Sequence, residues 1–193
     1  MSQGNEDIAP LLALDLEQHF KQLVLTYWQR LFAFMMRHTG SAQDAEDIVQ
    51  DAFVRAYYAL KDYPRYKVQG LKLQPWLYKI TLNVFYNRVR YASPQPVSLD
   101  TSVDSPMLEL EDRAPGPEEE LWRRERQDEL EGLVSSLPEH YRVVINLYYF
   151  EELSYQEIAS LLNQPMGTIK AKLHRGIGLL RSALHEANRD PIG

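Results

Sequence analysis

Lys79, Asn83, Tyr86 and Arg90 lie four, three and four residues apart, so on a helix they share one face, with Asn87 and Arg88 beside them. Cation, amide and aromatic ring side by side suit backbone phosphates, base edges and bases that have left their stack. Just upstream, Tyr63, Arg65, Tyr66, Lys67, Gln69 and Lys72 make an aromatic-basic loop. Such a loop could hold an unstacked base, each stack contributing about 1–3 kcal/mol; the alternative is a loop that only covers the core beneath it. A second cationic set stands near the other end. If Ile169, Leu173, Leu180 and Leu184 face a core, then Thr168, Lys170, Ala171, Lys172, His174 and Arg175 point outward, and no acidic residue occurs between Pro165 and Arg181. A basic exposed helix in an acidic chain suits a DNA groove, although a solvated face on an ordinary helical hairpin has the same pattern.

The elements that must carry these groups are helical. Leu23, Tyr27, Leu31, Phe34 and Met35 mark one side of a helix expected from about Leu14 to Arg37, broken by Thr39, Gly40 and Ser41. Ser41 with Asp44 caps a second helix, whose Ala45, Ile48, Val49, Ala52, Phe53, Ala56 and Leu60 recur at spacings of three and four. Its other face carries Glu46, Asp47, Gln50, Asp51 and Arg55. A third helix is expected from about Pro75 to Tyr91, with Trp76, Leu77, Ile80 and Val84 reading as core. Farther along, an amphipathic helix around Trp122 to Leu133 precedes Ser136 and Pro138, which suit the cap and first turn of another helix. Then Ser154 and Glu157 form a capping box, Asn163 suits a left-handed helix end, and Pro165 suits the start of the next helix. No segment alternates as a half-buried strand does, so the expected fold is all-α.

Charge divides the chain. Residues 1–91 hold 11 Lys and Arg against 9 Asp and Glu, residues 92–120 hold 1 against 8, and residues 121–193 hold 9 against 10. The net charge of −6 therefore sits mostly in a Pro/Ser-rich acidic stretch, read as a flexible tether, with a long surface loop as the alternative. The expected organisation is two small helical domains, 14–91 and 121–187, joined by the linker 92–120, with tails at 1–13 and 188–193.

Catalytic constellations are missing. The histidines are scattered, no HExxH, GxSxG or Gly-rich phosphate loop occurs, and there is no cysteine. Glu46, Asp47 and Asp51 cluster on one helix without a matching second set, so no metal and no cofactor is expected. No apolar run approaches the roughly 20 residues that span a bilayer, and MSQGNEDIAP lacks the features of a signal peptide. The expectation is a cytoplasmic protein without membrane insertion.

Three stretches together, DAEDIVQDAFVRAYYAL (44–60), PWLYKITLNVFYNRVR (75–90) and LSYQEIASLLNQPMGTIKAKLHRGIGLLR (153–181), resemble bacterial RNA polymerase sigma factors of the extracytoplasmic-function (ECF) class. Their order, their spacing and the acidic linker match as well. The resemblance implies a first domain, sigma region 2, that recognises and opens the −10 element, and a last domain, sigma region 4, that reads the −35 element through its helix-turn-helix. It implies docking on the β′ clamp helices of core RNA polymerase through Asp47, Ile48, Gln50, Asp51 and Phe53, as acids, an amide and exposed apolar atoms. The implied −10 DNA set is Arg65, Lys67, Lys72, Trp76, Lys79, Asn83, Tyr86, Asn87, Arg88 and Arg90. The loop before Trp76 corresponds to the one that captures a flipped base, but YPRYKVQGLKLQ assigns no single capturing residue. Lys170, Ala171, His174 and Arg175 correspond to readers of the −35 major groove, with Thr168 and Lys172 near phosphates. Gly176 and Gly178, each costing about 1 kcal/mol relative to Ala, leave the far end of that helix to be held by DNA or the polymerase β flap. An anti-sigma partner covering both domains is a further partner the resemblance carries. The competing reading is a polymerase-independent regulator that dimerises on a palindromic operator, in which the helices at 44–60 and 75–90 have no evident task.

Overall fold

A computed structural model describes residues 8–92 and 127–187. Among the described residues all regular structure is helical, without strands, and the chain falls into two compact units divided near residue 98. The acidic stretch and the start of the helix expected around Trp122 lie outside the described residues.

The first unit begins with α1 (Ile8–Leu14) and α2 (Leu16–Thr39). The helix expected from about Leu14 forms as α2, whereas residues 8–13, expected as a tail, carry a separate helix. Asp15 adopts an extended backbone and accepts a hydrogen bond from the Gln18 N–H at 3.0 Å, so it caps a new helix. Residues 8–14 form nearly two turns of their own, packed on α2 and α4 with Ile8, Ala9, Leu12 and Ala13 buried. Gly40 ends α2 at φ +66°, which glycine adopts without strain. Ser41 caps α3 (Ala42–Asp62), accepting from the Asp44 N–H at 3.2 Å as the sequence suggested.

After α3 comes α4 (Arg65–Gln69), then α5 (Leu73–Ala92) with Pro75 in its first turn. The apolar stripes of α2, α3 and α5 close one core. Tyr27, Phe34, Val49, Ala52, Leu77 and Tyr78 are all fully buried, and the Phe34 and Tyr78 rings meet edge to face at 4.9 Å. Truncating any of the large ones to Ala would cost about 2–5 kcal/mol.

In the second unit, α6 (Gln127–Ser136) precedes α7 (Glu139–Ile145), which runs on into a π-helical turn over Asn146–Phe150. Ser136 does not cap α7 as expected. It is the last residue of α6, its hydroxyl donating to the Leu133 carbonyl at 2.7 Å, and Pro138 occupies the cap position. The capping box of α8 (Tyr155–Leu162) is complete, and Asn163 ends that helix in the left-handed region at φ 53°. The Thr168 and Ile169 N–H groups both donate to the Pro165 carbonyl at the start of α9 (Met166–Ala187). Packed on α7 and α8, α9 completes a small core of Val144, Ile145, Leu147, Ile158, Ile169 and Leu173.

Candidate nucleic-acid and polymerase interfaces

The acidic face of α3 and the cationic face of α5 are neighbours. Arg88 reaches from α5 to Asp51 at 2.7 Å and to Asp47 at 3.6 Å, with all three side chains about half exposed. The hydrogen bond to Asp51 raises the Arg88 pKa further, against the opposing effect of burial. Two residues expected at a polymerase interface thus hold one expected at DNA, which spacing within single helices could not reveal. Gln50, also exposed, bonds to Glu46 at 3.3 Å.

Ile48 and Phe53 do not offer the exposed apolar atoms expected of them. At 2% and 5% exposure they belong to the core, Phe53 stacking on Trp28 at 6.0 Å. Their places in the recurring stripe of α3 put them on its inner side, so they shape the face from beneath. The exposed apolar residues of α3 are instead Val54 and Tyr58. Their spacing from Asp47 and Asp51, by threes and fours, continues one surface stripe and was the signal available in the sequence.

On α5, Lys79, Asn83, Asn87 and Arg90 are exposed and Tyr86 is half-buried, so the stripe forms as the spacing required. The aromatic-basic segment before it is not a loop throughout. Val68 is buried, and the Lys67 and Val68 N–H groups donate to the Pro64 carbonyl, winding residues 65–69 into α4. Arg65, Tyr66, Lys67 and Lys72 are exposed there. The Lys67 ammonium sits 3.5 Å from the Tyr63 ring centroid, and that ring lies 6.2 Å from half-buried Trp76, so cation and aromatics line one edge between α4 and α5.

In the second unit, His174 is exposed, and Thr168, Lys170, Ala171 and Arg175 are partly so. Lys172 is not with them. It is 7% exposed, its ammonium donates to Gln164 Oε1 at 3.0 Å, and burial lowers its pKa. The reason is register: Lys172 follows Ile169 by three and precedes Gly176 by four, so it falls on the inward stripe and buries its stem while its head reaches the turn. Gly176 is likewise structural. A Cβ there would meet Ile145 Cδ1 at 2.6 Å and both Ile145 Cγ1 and Tyr141 Cβ at 3.3 Å, so the glycine lets α9 and α7 approach. Gly178 faces open space.

One further group was not legible as functional. Tyr148, in the π-helical turn, stacks on Tyr155 at the start of α8 with centroids 4.8 Å apart and planes 9° from parallel. The Lys170 ammonium lies 5.3 Å from the Tyr155 ring centroid. Among the described residues, no group of three or more His, Asp or Glu could hold a metal ion, and no helix is long and apolar enough to cross a membrane.

A Sigma-70 region 2 family model matches residues 23–94, and a Sigma-70 region 4 model matches residues 127–180. The chain is 33% identical over 172 residues to the ECF RNA polymerase sigma factor SigW of Bacillus subtilis, covering 86% of this chain and 89% of that protein. It is 30% identical over 167 residues to the ECF RNA polymerase sigma-E factor of Escherichia coli K12, covering 82% and 83%. Two solved structures share the fold. One is the sigma factor RpoE of Bartonella quintana, bound to the anti-sigma factor NepR (TM-score 0.63, 24% identity, 86% of this chain and 96% of that one). The other is CnrH in complex with the cytosolic domain of CnrY (TM-score 0.62, 23% identity, 95% and 97%).

Proposed function

The chain belongs to the ECF class of RNA polymerase sigma factors, and we propose how its two units divide that work. As a sigma factor it binds core RNA polymerase, recognises the −35 and −10 promoter elements and promotes promoter melting. The unit of α1 to α5 takes the polymerase and the −10 element; that of α6 to α9 takes the −35 element. Polymerase contact falls to Asp47, Gln50 and Asp51 with Ile48 and Phe53 beneath them. The −10 strand meets Lys79, Asn83, Tyr86, Asn87, Arg88 and Arg90, with Arg65, Lys67, Lys72 and Trp76 at the edge where a base can leave its stack. Thr168, Lys170, Ala171, His174 and Arg175 face the −35 groove.

The observation that carries this reading is the pairing, within one unit, of an acidic helix face with an adjacent exposed stripe of cations, amides and a tyrosine on α5. Such a surface can hold a protein on one side and a melted strand on the other. The protein acts in the cytoplasm, without chemistry of its own, and an anti-sigma partner restrains it, a reading supported by one solved structure of this fold, which is bound to the anti-sigma factor NepR. An operator-binding regulator would leave the α3 face unused.

The test is transcription from a genomic fragment library with purified protein, with and without bacterial core RNA polymerase. Discrete polymerase-dependent start sites sharing −35 and −10 elements are expected. DNA binding by the protein alone, with no new starts on adding core, would overturn the reading.

A further inference from the structure

We propose that Tyr155 is a positioning residue for −35 readout: its ring, itself held by Tyr148, fixes where the Lys170 ammonium meets the DNA. The proposal rests on the assignment of Lys170 to the −35 groove. Two contacts converge on one ring, the parallel stack of Tyr148 at 4.8 Å and the ammonium of Lys170 at 5.3 Å. Both fall within the range where such contacts are attractive. A lysine head on its four-carbon stem is otherwise a mobile point charge, able to reach several phosphates or base edges without preference. Held over a ring, it gives up that freedom before DNA arrives, and its contact becomes selective for a base in one place.

The backbone supports the arrangement at three points. Tyr155 opens α8 inside the capping box, directly after its cap residue, where the Ser154 hydroxyl and the Glu157 carboxylate fix the turn. Lys170 stands in the first turns of α9, whose neighbour Ile169 is fully buried. Tyr148 lies in the π-helical turn, where the Glu151 N–H reaches back five residues to the Asn146 carbonyl at 3.1 Å. One extra residue in a turn shifts the phase of the side chains that follow by about 100°. Such turns recur at functional sites, and here the turn carries the ring that Tyr155 stacks on.

The test uses holoenzyme assembled from core RNA polymerase and the full chain, selected on promoters randomised through the −35 element, with the bound fraction sequenced. Lys170→Met should change the preference at one or two adjacent base pairs. Tyr155→Leu, which keeps apolar bulk without a ring, should weaken the same preference about two- to five-fold, the factor that a cation–π contact at an exposed site corresponds to. Tyr155→Phe keeps the ring and should leave the preference unchanged. Adding Tyr155→Leu to Lys170→Met should change nothing further. A uniform loss across all −35 sequences with Tyr155→Leu, or additive effects in the double variant, would overturn the proposal even with the Lys170 change in place. An unaltered preference with Lys170→Met would remove the underlying assignment and the proposal together.

Discussion

The two glycines of α9 should respond to alanine with opposite signs. In a helix interior, Gly→Ala ordinarily stabilises by about 1 kcal/mol, because glycine loses more backbone freedom on folding. At Gly178 nothing lies within 4 Å of the new Cβ, so Gly178→Ala should realise that gain. At Gly176 the same Cβ would stand 2.6 Å from Ile145 Cδ1 and 3.3 Å from Tyr141 Cβ. The Ile145 Cδ1 methyl can yield by rotating, but its Cγ1, also 3.3 Å away, is nearer the backbone, and the Tyr141 Cβ moves only with α7 itself. Overpacking of this kind costs about 1–3 kcal/mol. The propensity gain is common to both variants, so the difference between them isolates the overpacking, about 2 kcal/mol or roughly a 30-fold ratio in unfolding equilibrium.

Hydrogen exchange read on peptides from α7 and α9 is the assay, since it follows the second unit alone, whereas a global melt would mix two units. Gly178→Ala should slow exchange in those peptides, and Gly176→Ala should speed it. Equal slowing in both variants would refute the close approach of α9 and α7. Loss of −35 selectivity in Gly176→Ala, with Gly178→Ala unaffected, should accompany the shift, because Arg175 adjoins the crowded position.

Asp51→Arg should weaken binding to core polymerase at least tenfold while circular dichroism stays native, because it reverses an exposed charge and leaves the core intact; unchanged affinity would remove α3 from the interface. Arg175→Ala should cost about 1–3 kcal/mol of −35 discrimination, and an unaltered footprint there would refute its assignment. Replacing Lys79 and Arg90 together by Ala should reduce promoter opening, with normal permanganate reactivity of the −10 thymines as the contrary result. Tyr27 is fully buried, its hydroxyl meets no hydrogen-bond partner among the described residues, and burial pushes its pKa up to about 12 although nearby Arg30 pulls the other way. The folded form therefore keeps its proton where the unfolded chain, at about 10, has lost it. The contribution of Tyr27 to stability should be constant below pH 10 and fall by up to about 3 kcal/mol between pH 10 and 12. Tyr27→Phe should abolish that slope and raise stability near neutrality by about 1 kcal/mol; an unchanged slope would refute it.

What the sequence disclosed follows from the range of its signals. Caps and periodicity are local, so the Ser41 and Ser154 caps, the left-handed Asn163 and the stripes of α2, α3 and α5 were all legible. The separate helix α1 was missed because the apolar pattern runs on through Asp15, and only its extended backbone marks the break. Lys172 was misplaced because its charge was weighed above its register. Ile48 and Phe53 stand in the inner stripe by the same spacing that should have excluded them from the surface. Contacts between elements carry no local signal at all. The hold of Asp51 on Arg88, the fit of Gly176 against Ile145 and the Tyr148–Tyr155 stack join residues 37, 31 and 7 positions apart, and each needed the fold to be seen.

The same separation of local from global governs how an acidic chain can bind DNA. At physiological ionic strength charges are screened beyond about 8 Å, so the cations displayed on α5 and α9 act through their local surroundings rather than through the net charge of the chain. Each unit nonetheless shows only a handful of such cations, and Arg88 is already partnered by Asp47 and Asp51. Phosphate binding weakens with salt in proportion to the contacts made, about 0.9 in the logarithmic slope for each. A unit with few contacts therefore binds weakly and with a shallow salt dependence. Joining two weak binders across a fixed spacing multiplies their affinities only when something fixes the spacing. If core polymerase supplies that spacing, the free chain should bind promoter DNA poorly, and the holoenzyme should bind more tightly and with a steeper salt slope than the free chain.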